Sequence, residues 1–189
     1  MKFYRCVKTT QINQYFGKDK TLPNMLAFYN SLNLIGHNGW DHGTPNDTKF
    51  YFGGTGKGLV ESSYWDYNGG NSLQIIVSDG EKYYRLRFFH LKDVVVTLGN
   101  WVESGDLLGH TGNTGAGTTG PHLHYDIKEV TKDQLGNYQT INKDNGYLGC
   151  LDPAQFDTGI FIVDYMNSLK AQIGILQTII NLIKGFLEK

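Results

Sequence analysis

The sequence predicts a mainly β, antiparallel fold followed by a C-terminal amphipathic helix, and three observations predict it. Through residues 36–153, short runs of β-branched and aromatic residues alternate with turn signals, and almost no helical period is present. Glycine is in excess at 24 residues, where an average usage of about 7% would give roughly 13. Beyond residue 156 the texture changes, and apolar residues recur at alternating steps of four and three.

Residues 1–35 open on a short, apolar, strand-like stretch. A helix is expected over Asn24–Leu34, with Thr21 as its cap and Pro23 in its first turn. Leu73–Ser78 and Tyr83–Phe89 flank Asp79-Gly80, which reads as a β-hairpin. Val94–Leu98 and His122–Lys128 read as further strands. The tail places Ile162, Met166, Leu169, Ile173, Leu176, Ile180, Ile183 and Leu187 on one seam, the a/d pattern of a coiled coil over nearly four heptads. Gly174 and Gly185 fall at b and f positions on the outer face, each costing about 1 kcal/mol relative to Ala, so the helix is expected to need a partner. Tyr165, Ile179 and Phe186 at g positions widen the stripe. The division that follows is a β-rich unit over 1–157 and a heptad helix over 158–189. Residues 160–187 are expected to self-associate or dock on a partner rather than fold back on the β core.

Composition removes several function classes. Lys plus Arg number 17 against 18 Asp plus Glu, for a net charge of -1, so a nucleic-acid binder relying on phosphate neutralisation is not expected. Apolar residues at 40% and aromatics at 13% argue for a real core. Cys6 and Cys150 cannot form a four-thiolate zinc site, and composition leaves them as two buried thiols or one bond. The stretch MKFYRCVKTTQINQYFG has no apolar run of signal-peptide length, so no signal peptide is expected. No run of 18 or more apolar residues occurs, so no membrane span is expected.

All six histidines lie between positions 37 and 124. His42 and His110 read as loop or packing residues. His122 and His124 sit in the alternating run HLHYDIK, where strand geometry puts both on one face and Leu123, Tyr125 and Ile127 on the other. An isolated HxH is a weak metal signal. His37 and Asp41 stand four apart amid Gly36, Gly39 and Gly43, so a glycine-permitted loop is expected there rather than a helix. His90 ends the run YYRLRFFH, and alternation puts it on the face of Tyr84, Leu86 and Phe88. Together, His37, Asp41 and His124 make a two-nitrogen, one-oxygen set. Such a set leaves one position on tetrahedral zinc open for water, as catalytic sites require. His90 and His122 remain as imidazoles outside it, and no HExxH is present.

The order GHNGWD (36–41), FFHL (88–91) and GHTGNTGAGTTGPHLHYDI (109–127) resembles the lysostaphin-type (LytM-like) zinc metallopeptidases. WVESGDLLG (101–109) and Leu151-Asp152-Pro153 extend the resemblance over roughly residues 33–157. The resemblance implies a β-sheet fold related to duplicated hybrid motif proteins and cleavage of bacterial cell-wall peptides. It implies that His37, Asp41 and His124 bind one Zn²⁺, and that His90 and His122 are the catalytic histidines. The function it implies is a zinc endopeptidase cutting peptide stems or cross-bridges of peptidoglycan. The alternative is a non-catalytic wall-binding or virion structural module that retains the metal site. Small phage-encoded members look like this chain, so a tail-associated virion protein or an endolysin released from the host cytoplasm is the expected setting.

Overall fold

A computed structural model describes the backbone of residues 1–187 and the side chains of residues 1–184. The chain begins with β1 (Phe3–Arg5), β2 (Ile12–Gln14), a short helix α1 (Leu26–Ser31), β3 (Trp40–Gly43) and β4 (Lys49–Tyr51). A meander of β5 (Lys57–Asp66), β6 (Gly70–Ser78) and β7 (Tyr83–Val94) follows. Next come β8 (Trp101–Glu103), β9 (Leu107–Thr111), β10 (His122–Lys132), β11 (Tyr138–Thr140), β12 (Cys150–Leu151) and β13 (Asp157–Phe161), which leads into α2 (Ile162–Leu187). The main sheet has the order β2-β3-β10-β7-β6-β5-β8, with every neighbouring pair antiparallel.

β10 lies between β3 and β7, and its alternation decides what each face of the sheet does. Leu123 and Ile127 are fully buried on the core face, where Tyr125 stacks on Phe88. β4 and β9 pair with each other and close that core, contributing Phe50 and Leu108 alongside Leu73, Ile75 and Leu86. His122, His124 and Asp126 project from the opposite face. The Asp79-Gly80 hairpin forms where its residues place it, with Gly80 at φ 96° and Asp79 Oδ1 accepting the N–H groups of Glu81 and Lys82.

Other expectations change. Helix α1 is shorter than Asn24–Leu34, because Asn33 adopts a left-handed backbone (φ 59°) that stops it, and its entry is a 3₁₀ turn at Pro23–Met25. Thr21 does not cap it; the Thr21 hydroxyl donates to the Gly17 carbonyl and accepts the N–H of His37. Val94–Leu98 is not a strand. β7 itself runs to Val94, and the following residues turn outward with Val95 and Leu98 exposed. Cys6 and Cys150 are separate buried thiols, pushed up to about 12 and about 11 by burial.

β1 pairs in parallel with β13, and Arg5 grips Asp157 across them at 2.8 Å. The first turns of α2 rest on the β body: Ile162 is buried, Tyr165 stacks on Tyr4 at 4.2 Å, and Met166 lies against Gly105. Further along, Ile173, Leu176 and Ile183 are 64%, 58% and 53% exposed, so this stretch does not pack on its own core. The heptad positions Gly185, Phe186 and Leu187 lie outside the described side chains. No helix among the described residues is long and apolar enough to cross a membrane.

Candidate metal centre

Strand register brings the first two members of the site together. Asp41 on β3 is the direct cross-strand partner of His124 on β10, and Asp41 Oδ1 lies 2.9 Å from His124 Nδ1. His37 arrives from the segment before β3, which is tied down by a bridge to Gly17. Its Nε2 stands 3.1 Å from His124 Nδ1 and 3.2 Å from Asp41 Oδ1. Bonds of about 2.0–2.1 Å to a tetrahedral ion set ligand atoms about 3.3 Å apart, so this triangle fits a single zinc-sized cation. The donor chemistry also fits, with two imidazoles and one carboxylate and no fourth protein ligand among the described residues.

The local sequence explains the close approach. A Cβ on Gly39 would meet the Tyr125 carbonyl oxygen at 2.5 Å and His124 Nε2 at 2.8 Å, so only glycine lets the 37–41 segment lie against the His124 ring. His37 Nδ1 stands 3.0 Å from the Tyr15 carbonyl, and a proton on that nitrogen leaves Nε2 as the ligating atom. Burial opposes ionisation of Asp41, but His37 and His124 hold its carboxyl well below the usual range. Burial likewise disfavours charge on His124, yet Asp126 and Asp41 outweigh it and raise its pKa to about 9. A cation entering the triangle therefore displaces a proton from His124.

His90 and His122 flank this triangle. His122 Nδ1 lies 2.8 Å from the Gly120 carbonyl, and its Nε2 is 3.5 Å from Asp41 Oδ1. His90 does not share a face with Tyr84, Leu86 and Phe88, as plain alternation requires. It has φ 61°, a left-handed backbone at a register break, and this turns its ring onto the site face beside Phe89 and His124. The strain is secured by the His90 N–H donating to the Gly69 carbonyl at 2.6 Å, and by Nδ1 at 2.9 Å from the Thr114 carbonyl. Burial, then the neighbouring His122 and His124, push its pKa down to about 4, so His90 is neutral at pH 7.

All five histidine and aspartate residues singled out in the sequence thus converge, and four of them, Asp41, His90, His122 and His124, line a groove of about 510 Å³. Met25 and Phe28 form one wall, Tyr64 and Asp66 another, and Gly117 and Gly120 part of the lining. His42 lies on the other side of the sheet, buried, with Nδ1 unpartnered and its pKa pushed down to about 4 by burial. His110 pairs with Asp93 away from the groove. Sequence reasoning missed the wall residues, which come from segments far apart in the chain. It also missed Asp126, although period-2 spacing already placed that residue on the face of His124.

The Peptidase family M23 profile matches residues 35–142, more than half of the chain. The chain belongs to peptidase family M23. This M23 chain is 37% identical over 67 residues to lysostaphin of Staphylococcus staphylolyticus, covering 35% of this chain and 13% of that protein. It is 35% identical over 91 residues to the peptidoglycan DD-endopeptidase ShyA of Vibrio cholerae serotype O1, covering 48% of this chain and 20% of that protein. The chain therefore spans a fifth or less of the length of these two relatives. Among solved structures, LytU superposes with a TM-score of 0.54 at 26% identity, over 77% of this chain and 83% of that one. A zinc-containing peptidase from Vibrio cholerae gives 0.55 at 25% identity, over 81% and 39% of the two chains. These neighbours share the mostly β, antiparallel architecture expected from the sequence.

Proposed function

We propose that this M23 member is a zinc-dependent endopeptidase that hydrolyses peptide stems or cross-bridges of bacterial peptidoglycan. The observation that carries the reading is the triangle of His37 Nε2, Asp41 Oδ1 and His124 Nδ1, at 2.9–3.2 Å separations, facing a groove with two further imidazoles. Zinc held there would supply Lewis acidity and would lower the pKa of a water towards about 7. His90 and His122 each hold a backbone carbonyl at Nδ1, which leaves Nε2 as the proton acceptor of the neutral ring. One Nε2 takes the proton of the attacking water and returns it to the leaving amine. The other, on taking a proton from solvent at Nε2, would donate it as a hydrogen bond to the developing oxyanion, a contact worth about 3 kcal/mol. Glycines in the groove lining suit an extended peptide with small side chains, because backbone meets backbone where no Cβ intervenes. The test is mass spectrometry of muropeptides released from purified walls, with and without chelator. Equal release in both arms would remove the metallopeptidase reading.

The exposed apolar side chains of α2 favour a further component of the proposal: residues 160–187 join copies of the chain, or dock it on a virion protein, in a phage-encoded hydrolase acting on the host wall. They also support the second reading, a wall-binding or virion assembly module. His37→Ala and His122→Ala separate the two readings. Full biological activity in both variants selects the assembly module, and loss in both selects the enzyme.

A further inference from the structure

We propose that Asp126 is a positioning residue for the metal centre: clamped by Arg87, it takes the Nε2–H of His124 and keeps the Nδ1 lone pair aimed at the ion. The inference rests on the metal-site reading above. His124 presents Nδ1 to His37 Nε2 and Asp41 Oδ1, so a ligating His124 must carry its proton on Nε2. That nitrogen lies 3.5 Å from Asp126 Oδ2. A backbone carbonyl, the partner used by His37, would hold the ring less strongly than a full negative charge does.

Two rungs of the ladder between β10 and β7 build the arrangement. His124 is registered against Phe89, and Asp126 against Arg87, two residues along on the same face. Arg87 is bidentate to Asp126, with Nε to Oδ1 at 2.7 Å and Nη2 to Oδ2 at 2.6 Å. The guanidinium lies 5.0 Å from the centre of the Phe89 ring, and Phe89 meets the His124 ring edge-on at 5.5 Å. The four side chains therefore close a ring of contacts behind the ligand. Asp126 is fully buried, with both carboxylate oxygens facing Arg87 and Oδ2 also facing His124 Nε2. Asp126 takes no place in the ligand triangle.

The experiment measures zinc affinity by competition with a chromophoric chelator, alongside the thermal midpoint of the metal-free protein. The variants are Asp126→Asn, Asp126→Glu, and the paired Arg87→Met/Asp126→Leu, which removes both charges together. His37→Ala is the control for the site itself. The expected result is a 10–100-fold loss of zinc affinity in Asp126→Asn and in the paired variant, with partial recovery in Asp126→Glu. The paired variant keeps a cooperative metal-free transition, so its loss of affinity reports on His124 and not on unfolding. Affinity within twofold of the parent in a folded Asp126→Asn or paired variant overturns the proposal. Undiminished zinc binding by His37→Ala would instead strike the metal-site reading on which it rests.

Discussion

His90 and His122 bring their imidazoles to a centroid separation of 4.6 Å although they lie on strands that approach the site from different directions. The contact depends on the left-handed backbone at His90, which breaks strand alternation at the one position where alternation would bury the ring in the core. Both Nδ1 atoms are engaged by carbonyls, and His122 Nε2 lies 3.5 Å from Asp41 Oδ1.

Replacing either member singly, as His90→Ala or His122→Ala, is expected to lower kcat on a defined muropeptide by about 10²–10⁴-fold, the usual worth of a positioned acid or base. Zinc content, measured by elemental analysis, should stay near one per chain in both. A variant that loses zinc with its activity would place that histidine among the ligands.

Chelation is expected to abolish activity and lower the thermal midpoint, and added zinc to restore both, because an ion bound only by the folded state stabilises it by mass action. His37→Ala should show neither the loss nor the recovery. A thermal midpoint indifferent to zinc would contradict the triangle as a binding site.

The metal-free protein is expected to be most stable near pH 6.5. His42 and His90 are pushed from 6.5 down to about 4, chiefly by burial, so the unfolded chain takes up protons there that the folded one refuses. Their stabilisation is complete above pH 6.5 and is lost as pH falls towards 4. His124 is raised to about 9 by Asp126 and Asp41 against the opposing effect of burial, so its contribution is complete below 6.5 and is lost as pH rises through 9. Thermal melts of chelated protein across pH 4–9 check the two flanks separately, and His42→Gln should flatten the acidic one.

Gly39→Ala is expected to cost about 1–3 kcal/mol and to weaken zinc binding together, since the new methyl would press on Tyr125 and on the His124 ring. Chemical denaturation and zinc titration of the same preparation measure the two effects. An unchanged zinc affinity would show that the ring yields without cost.

Ile173→Lys and Ile180→Lys are expected to convert an associated species to a monomer in light scattering while leaving the thermal midpoint of the β body unchanged. Ile173 is 64% and Ile180 45% exposed in the single chain, so charge there penalises a contact between chains or with a partner. A parent protein that is monomeric at every concentration would remove self-association and leave docking on another protein.

The legible part of this molecule is the part governed by short-range rules. Alternation along HLHYDIK correctly separates the core side chains from the site side chains, and turn chemistry marks the Asp79-Gly80 hairpin. The convergence of His37, Asp41 and His124 needed the combination of motifs, because no local rule says that β3 pairs with β10 in that register. Alternation alone puts His90 on the core face, because a left-handed residue inside a strand is an exception that alternation cannot anticipate. Thr21 and Asn33 show the same limit, since one serves the His37 backbone and the other ends α1 early. The groove walls were invisible because Met25, Tyr64 and Asp66 are brought together only by the tertiary fold.

The parallel pairing of β1 with β13 has a mechanical side. β13 runs directly into α2, and β1 is stitched to the main body by Tyr4 N–H to the Gly53 carbonyl and Phe3 N–H to the Phe156 carbonyl. A pull along α2 meets the strand pair and the Arg5–Asp157 clamp before the sheet that carries Asp41 and His124. The helix is a handle whose first anchorage is the β1–β13 pair, a two-stranded sheet separate from the one that carries Asp41 and His124.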